Sequence, residues 1–155
     1  ATAICGGVRA YEDAGELQVT TIGCDTEVFN RNLVLLYTGV TRDAAEQLAG
    51  QDIDLTATRT QAEASVSALK SGDWGAFADG LTSQWFAKKA QTAPWINKLI
   101  ETGLRSGAMG GKLVGAGGGG FLLFFTRRHD KLRAALDLRE VKFRVDTEGT
   151  VCRQF

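Results

Sequence analysis

The residues with the most chemical promise in this sequence are glycines. Nine of the 19 glycines fall between Gly103 and Gly120, ending in the run Gly115-Ala116-Gly117-Gly118-Gly119-Gly120 between two apolar stretches. Four consecutive glycines lose much backbone entropy on folding, so such a loop implies unusual dihedrals or the close approach of another group. Successive N–H groups in a turn of this kind can form a concave nest for phosphate oxygens. The competing reading is a tight hairpin linking two buried strands. Two well-known phosphate motifs are excluded. The run satisfies GxGxxG in letters, but that fingerprint must open a helix, whereas Phe121-Leu122-Leu123-Phe124-Phe125 is strand-prone. Gly111-Lys112 is followed by Leu113 in place of Ser or Thr, and position 106 is Ser in place of Gly, so the P-loop pattern fails as well.

Cationic residues come next. Arg42 falls at the expected start of a helix beside Thr38 and Thr41, where free N–H groups and a guanidinium fork suit an anionic substrate; a surface pair with Glu46 one turn on is the plainer reading. Lys88 and Lys89 lie three and four residues beyond Trp85, at the end of an apolar helical stripe. A lysine so placed either reaches into a cleft or snorkels to water. Cys5, Cys24 and Cys152 are widely spaced with no CxxC pair, and His129 is the lone histidine, so the expectation is three free thiols, mostly buried in a reducing compartment, and no metal site. His129 has no acid or nucleophile near it in sequence and no catalytic role is assigned to it. Trp74, Trp85 and Trp95 fit helical stripes and are expected in the core.

These groups must be positioned by one ordinary domain. The 155 residues suffice for a real hydrophobic core, and 44% hydrophobic with 23% charged residues is the composition of a globular chain. Eighteen basic residues balance 18 acidic ones, without the basic patch a nucleic-acid binder needs. The longest apolar run, Phe121 to Phe125, is far too short to span a membrane, and the expected location is cytoplasmic. The chain opens without Met in what reads as mid-element sequence, which points to truncation or processing upstream.

Along the chain, Val8 to Glu12 and Leu17 to Ile22 read as a hairpin around Asp13-Ala14-Gly15. Asn32 to Tyr37 reads as a strand, Thr41 to Gly50 as a helix, and Leu55, Ala62, Val66 and Leu69 as the stripe of a helix ending near Gly72. Trp74, Phe77, Ala78, Leu81 and Trp85 give the clearest amphipathic signal, and Pro94 opens a further helix with Trp95, Leu99 and Ile100 on its apolar side. Lys112 to Val114 and Phe121 to Thr126 read as strands, Leu132 to Leu136 as a short helix, Val141 to Val145 as a half-buried strand, and the turn at Asp146 to Gly149 as the approach to a last strand. This order predicts an α+β fold: a ferredoxin-like antiparallel sheet with helices on one face, preceded by a short β-hairpin.

The segment Gly107 to Phe121 resembles the third signature motif of the GHMP kinase superfamily, which includes galactokinase and the homoserine, mevalonate and phosphomevalonate kinases. Leu35 to Arg42 and Trp85-Phe86-Ala87-Lys88-Lys89 are similar to segments of its sugar-phosphate kinase group, typified by D-glycero-D-manno-heptose 7-phosphate kinase, and the terminal strands are similar too. The resemblance implies a cofactor of ATP with Mg, a sugar-phosphate substrate, and a division into residues 1–30, a hairpin remnant of an N-terminal kinase domain, and residues 31–155, the C-terminal domain. It further implies that Gly115, Ala116, Gly117, Gly118, Gly119 and Gly120 support the ATP phosphates and that Arg42, Lys88 and Lys89 border the substrate. The family's own phosphate loop and its catalytic Asp match nothing in these residues, and Val114 stands where many members carry Thr. Two functional readings follow: the C-terminal part of a sugar kinase, inactive alone, whose partner is the missing N-terminal half or a second copy that covers the apolar surface left exposed, or a stand-alone ferredoxin-like ligand-binding or interaction module derived from one.

Overall fold

The computed structural model describes residues 6–13, 15–40, 55–115 and 118–150. In chain order the elements are β1 (Arg9–Asp13), β2 (Leu17–Thr21), α1 (Thr26–Asn32), β3 (Leu33–Tyr37), α2 (Leu55–Ser71), α3 (Trp74–Lys88), a 3-10 turn (Lys89–Gln91), α4 (Pro94–Arg105), β4 (Gly110–Val114), β5 (Phe121–Phe125), α5 (His129–Leu136) and β6 (Arg139–Val141). β1 and β2 form the expected hairpin, and the remaining strands make a four-stranded antiparallel sheet in the order β4-β5-β3-β6. The α+β reading holds.

Strand alternation sorts the core. Val34 faces Phe124 and Leu36 faces Leu122 across β3 and β5, and this side of the sheet is packed by Trp85 of α3, Ile96 and Ile100 of α4, and Leu132 and Leu136 of α5. Phe125 points the other way and meets the first half of α3, with Trp74 stacked on it at 6.1 Å and Ala78 and Leu81 beside it. α3 therefore serves both faces by running along the β4 edge. Their approach is close enough that a Cβ on Gly110 would run into the Ala78 carbonyl, which is why that position is glycine. A third cluster joins Ile22 of the hairpin to Phe29 of α1 and Leu69 of α2.

Several elements depart from the sequence reading. α1 was not foreseen: Asp25 caps it, Oδ1 accepting from Glu27 N at 2.9 Å, but seven residues that bury only Phe29 leave no periodic signal. β6 ends at Val141 instead of running to Val145, because Phe143 is exposed and the Val145 N–H leaves the sheet to donate to Asn30 Oδ1 at 2.8 Å. α4 buries Ile96, Ile100 and Gly103, so Trp95 turns outward and is 39% exposed instead of sitting in the core. The helix expected over Thr41 to Gly50 and the last strand lie outside the described residues. Among the described residues no helix is long and apolar enough to cross a membrane.

Candidate phosphate-binding site

The glycine loop joins β4 to β5, whose pairing from Gly110↔Phe125 to Val114↔Phe121 holds both of its feet. It turns through positive φ at Gly115 (104°) and Gly120 (100°), conformations that L side chains resist. Its far end is tied to the segment after β3. The Gly120 N–H donates to Val40 O at 2.7 Å and to Thr38 Oγ1 at 3.1 Å, while the Thr38 N–H and hydroxyl both donate to Gly120 O at 2.9 Å. Thr38 is 8% exposed, and a Cβ on Gly119 would stand 2.6 Å from Val40 O. The loop is thus clamped by a residue 82 positions away. Among the described residues, the N–H groups of Gly118 and Gly119 donate to no acceptor. Two adjacent unengaged N–H groups beside a clamped turn can receive the oxygens of an anion.

Of the sequence-predicted site residues, Gly115, Gly118, Gly119 and Gly120 line this turn, whereas Ala116, Gly117 and Arg42 lie outside the described residues. The clamp brings Val40, two residues before Arg42, against Gly119 and Gly120. Lys88 and Lys89, neighbours in sequence, diverge in space. Lys89 Nζ bonds Glu101 Oε1 at 2.7 Å and lies over the rings of Trp85 (5.0 Å) and Phe86 (5.5 Å), which ties α3 to α4 and holds the Glu101 carboxyl below its usual range. It lines an open depression of about 710 Å³ with Asn97, Lys98, Glu101 and Arg105. Under that depression Asn97 accepts from Trp85 Nε1 at 2.8 Å and donates to the carbonyls of Lys89 and Thr92, locking the α3–α4 junction.

Lys88 is exposed and lies on the side of Lys112. Lys112 is half-buried, its Nζ donating to Gln84 Oε1 of α3 at 2.6 Å, and burial followed by the nearby Lys88 charge pushes its ammonium below the ordinary lysine range. The sequence reading passed over Lys112 as part of a failed P-loop match. Its place in a strand, two residues from the loop-facing Val114, was the available signal. Cys24 is a free thiol raised by burial, then by Asp25; His129 is half-buried at the start of α5.

Among curated proteins, none matches the chain. Solved structures do. The fold is similar to D-glycero-D-manno-heptose 1-phosphate kinase from Bacteriodes thetaiotaomicron (24% identity, TM-score 0.64, 95% of this chain and 45% of that one). It is similar also to L. major mevalonate kinase in complex with R-mevalonate (17%, 0.68, 94% and 51%) and to homoserine kinase from Cytophaga hutchinsonii (16%, 0.65, 94% and 50%). The chain spans about half the length of the solved structures it matches, from 45% to 51% of the three named here. The family model described as GHMP kinases C terminal matches residues 65–142, just over half of the chain and including α3, α4, the glycine loop and β5. This chain belongs to the GHMP kinase C-terminal family.

Proposed function

We propose that the chain is the C-terminal part of an ATP-dependent sugar or sugar-phosphate kinase of the GHMP type, akin in substrate class to the heptose phosphate kinases. The observation that carries the reading is the clamped glycine turn, with the Gly118 and Gly119 N–H groups unengaged among the described residues. ATP, when bound, supplies the phosphoryl group for transfer. The glycines fit one wall of a phosphate site, since they have no side chains to exclude oxygens and have N–H groups to receive them. The described residues offer no group of three or more His, Cys, Asp or Glu able to hold a metal, so Mg is assigned to the nucleotide and the other half of the enzyme.

Phosphoryl transfer is mostly positioning and electrostatic stabilisation, and one wall cannot hold donor and acceptor in line. Gly115 to Gly120 therefore support the phosphates, Arg42 and Lys88 serve the acceptor's anionic end, a role the resemblance also gives Lys89, which Glu101 engages in this structure, and no residue of this chain is catalytic. In this reading residues 1–30 are the end of an N-terminal half and residues 31–155 the C-terminal domain, working in the cytoplasm. Support comes from β1 and β2, which pair only with each other among the described residues. The test is ADP release with hexose and heptose phosphates, first with the 155-residue chain alone and then with a separately produced N-terminal half. The expected outcome is no turnover alone and turnover with the added half. Turnover by the chain alone, or none in either case, overturns the reading.

A further inference from the structure

A cation left unassigned by that function stands at the foot of the loop. Lys112 is three residues before Gly115, about 10 Å along an extended strand. Its ammonium is drawn back between β4 and α3, where the acceptor it finds is the neutral amide oxygen of Gln84. A second cation, Lys88, lies one turn beyond Gln84 on the same helix, close enough for its charge to act on Lys112. Among the described residues neither lysine forms an ion pair, whereas Lys89 pairs with Glu101 and Arg133 with Glu140. Withdrawing an ammonium from water beside a like charge, with no carboxylate among the described residues to answer it, opposes folding. A neutral acceptor orients the ammonium without neutralising it and leaves two N–H donors for a further partner. That is the arrangement of a cation kept for an anion.

We propose that Lys112, oriented by Gln84 and joined by Lys88, binds a phosphate group of a ligand that also reaches the glycine loop. The proposal rests on the loop's being a phosphate wall, and it replaces Lys89, which Glu101 already engages, with Lys112 as the second cation. The phosphate has two possible sources, the nucleotide chain or a phosphorylated sugar.

The experiment is thermal unfolding and equilibrium binding of the full 155-residue chain at constant ionic strength, with pyrophosphate, ATP, glucose 6-phosphate, glucose and sulfate. Phosphate compounds are expected to raise Tm and the others not; a response to ATP without glucose 6-phosphate assigns the nucleotide, and the reverse assigns the sugar phosphate. Lys112→Gln is expected to weaken phosphate binding at least about tenfold, as loss of one charge-assisted contact implies, while raising Tm without ligand. A lysine kept only for its bond to Gln84 would behave oppositely, with Tm lowered and phosphate binding intact. Lys88→Gln, at an exposed position that folding tolerates, is expected to weaken binding severalfold, and Lys112→Arg to retain most of it. No Tm response to any phosphate, an equal response to sulfate, or unchanged binding in both Gln variants overturns the proposal. None of these readouts uses phosphoryl transfer, so this inference and the kinase reading fail separately.

Discussion

At the scale of the residue, Thr38 is a small group with a long reach. Its hydroxyl closes a buried turn by donating to Gly120 O and accepting from Gly120 N–H, across 82 positions of sequence. Valine matches its shape but not its bonds. Gly120 keeps its 2.7 Å bond to Val40, so the turn is loosened and not orphaned. Thr38→Val is expected to cost about 1–2 kcal/mol in urea unfolding with an unchanged m-value, and Thr38→Ser to recover most of it. A Thr38→Val midpoint equal to that of the unaltered chain would show that the clamp does not need the hydroxyl. The lysines make the complementary point: Lys89 joins a half-exposed pair that solvent screens, whereas among the described residues Lys112 is held by a single neutral acceptor.

Polar groups also hold elements to one another, and the junction of α5 with β6 is a charged cluster. Glu140 accepts from Arg133 Nε at 2.7 Å, from Arg133 Nη2 at 3.3 Å and from Lys142 Nζ at 2.6 Å. These bonds, that from Arg133 foremost, hold its carboxyl at about 2, against an ordinary 4.5. A depressed carboxyl contributes stability that is complete above the unfolded value and is lost as pH falls toward the folded one. The loss should therefore run from about pH 4.5 down to about pH 2. Because Lys142 is exposed and Arg133 partly so, solvent screening limits the contribution to about 1 kcal/mol. Unfolding free energies measured across that range should fall less steeply in Glu140→Gln than in the unaltered chain. Parallel curves would mean that the junction gains nothing from the charge.

For the whole molecule the decisive fact is apolar surface left uncovered. On β2, Leu17 is 57% and Val19 43% exposed, on one side of a two-stranded sheet that is marginal by itself. The hairpin is attached to the rest through Ile22 and the cluster of Phe29 and Leu69, yet its outer strand is exposed at every position. An exposed apolar strand favours association. Sedimentation velocity of the chain alone is expected to show concentration-dependent self-association that the double variant Leu17→Lys, Val19→Lys reduces without lowering Tm. An unaltered chain that stays monomeric at the highest soluble concentration would show that this surface needs no cover.

Much of this architecture was legible because it is local. The α3 stripe, Pro94 at the first turn of α4, and the glycine run between two strands each depend on residues a few positions apart, where side-chain period and backbone preference speak directly. α1 escaped because one cap and one buried Phe make no period. What sequence could not decide was direction and partnership. Lys88 and Lys89 read as one basic end of a helix, but a single step of about 100° along the backbone sends one toward Lys112 and the other toward Glu101. The clamp of Thr38 on Gly120, the seating of Lys112 on Gln84 and the packing of the hairpin on α1 and α2 all join residues far apart in the chain, and only the folded chain brings them together.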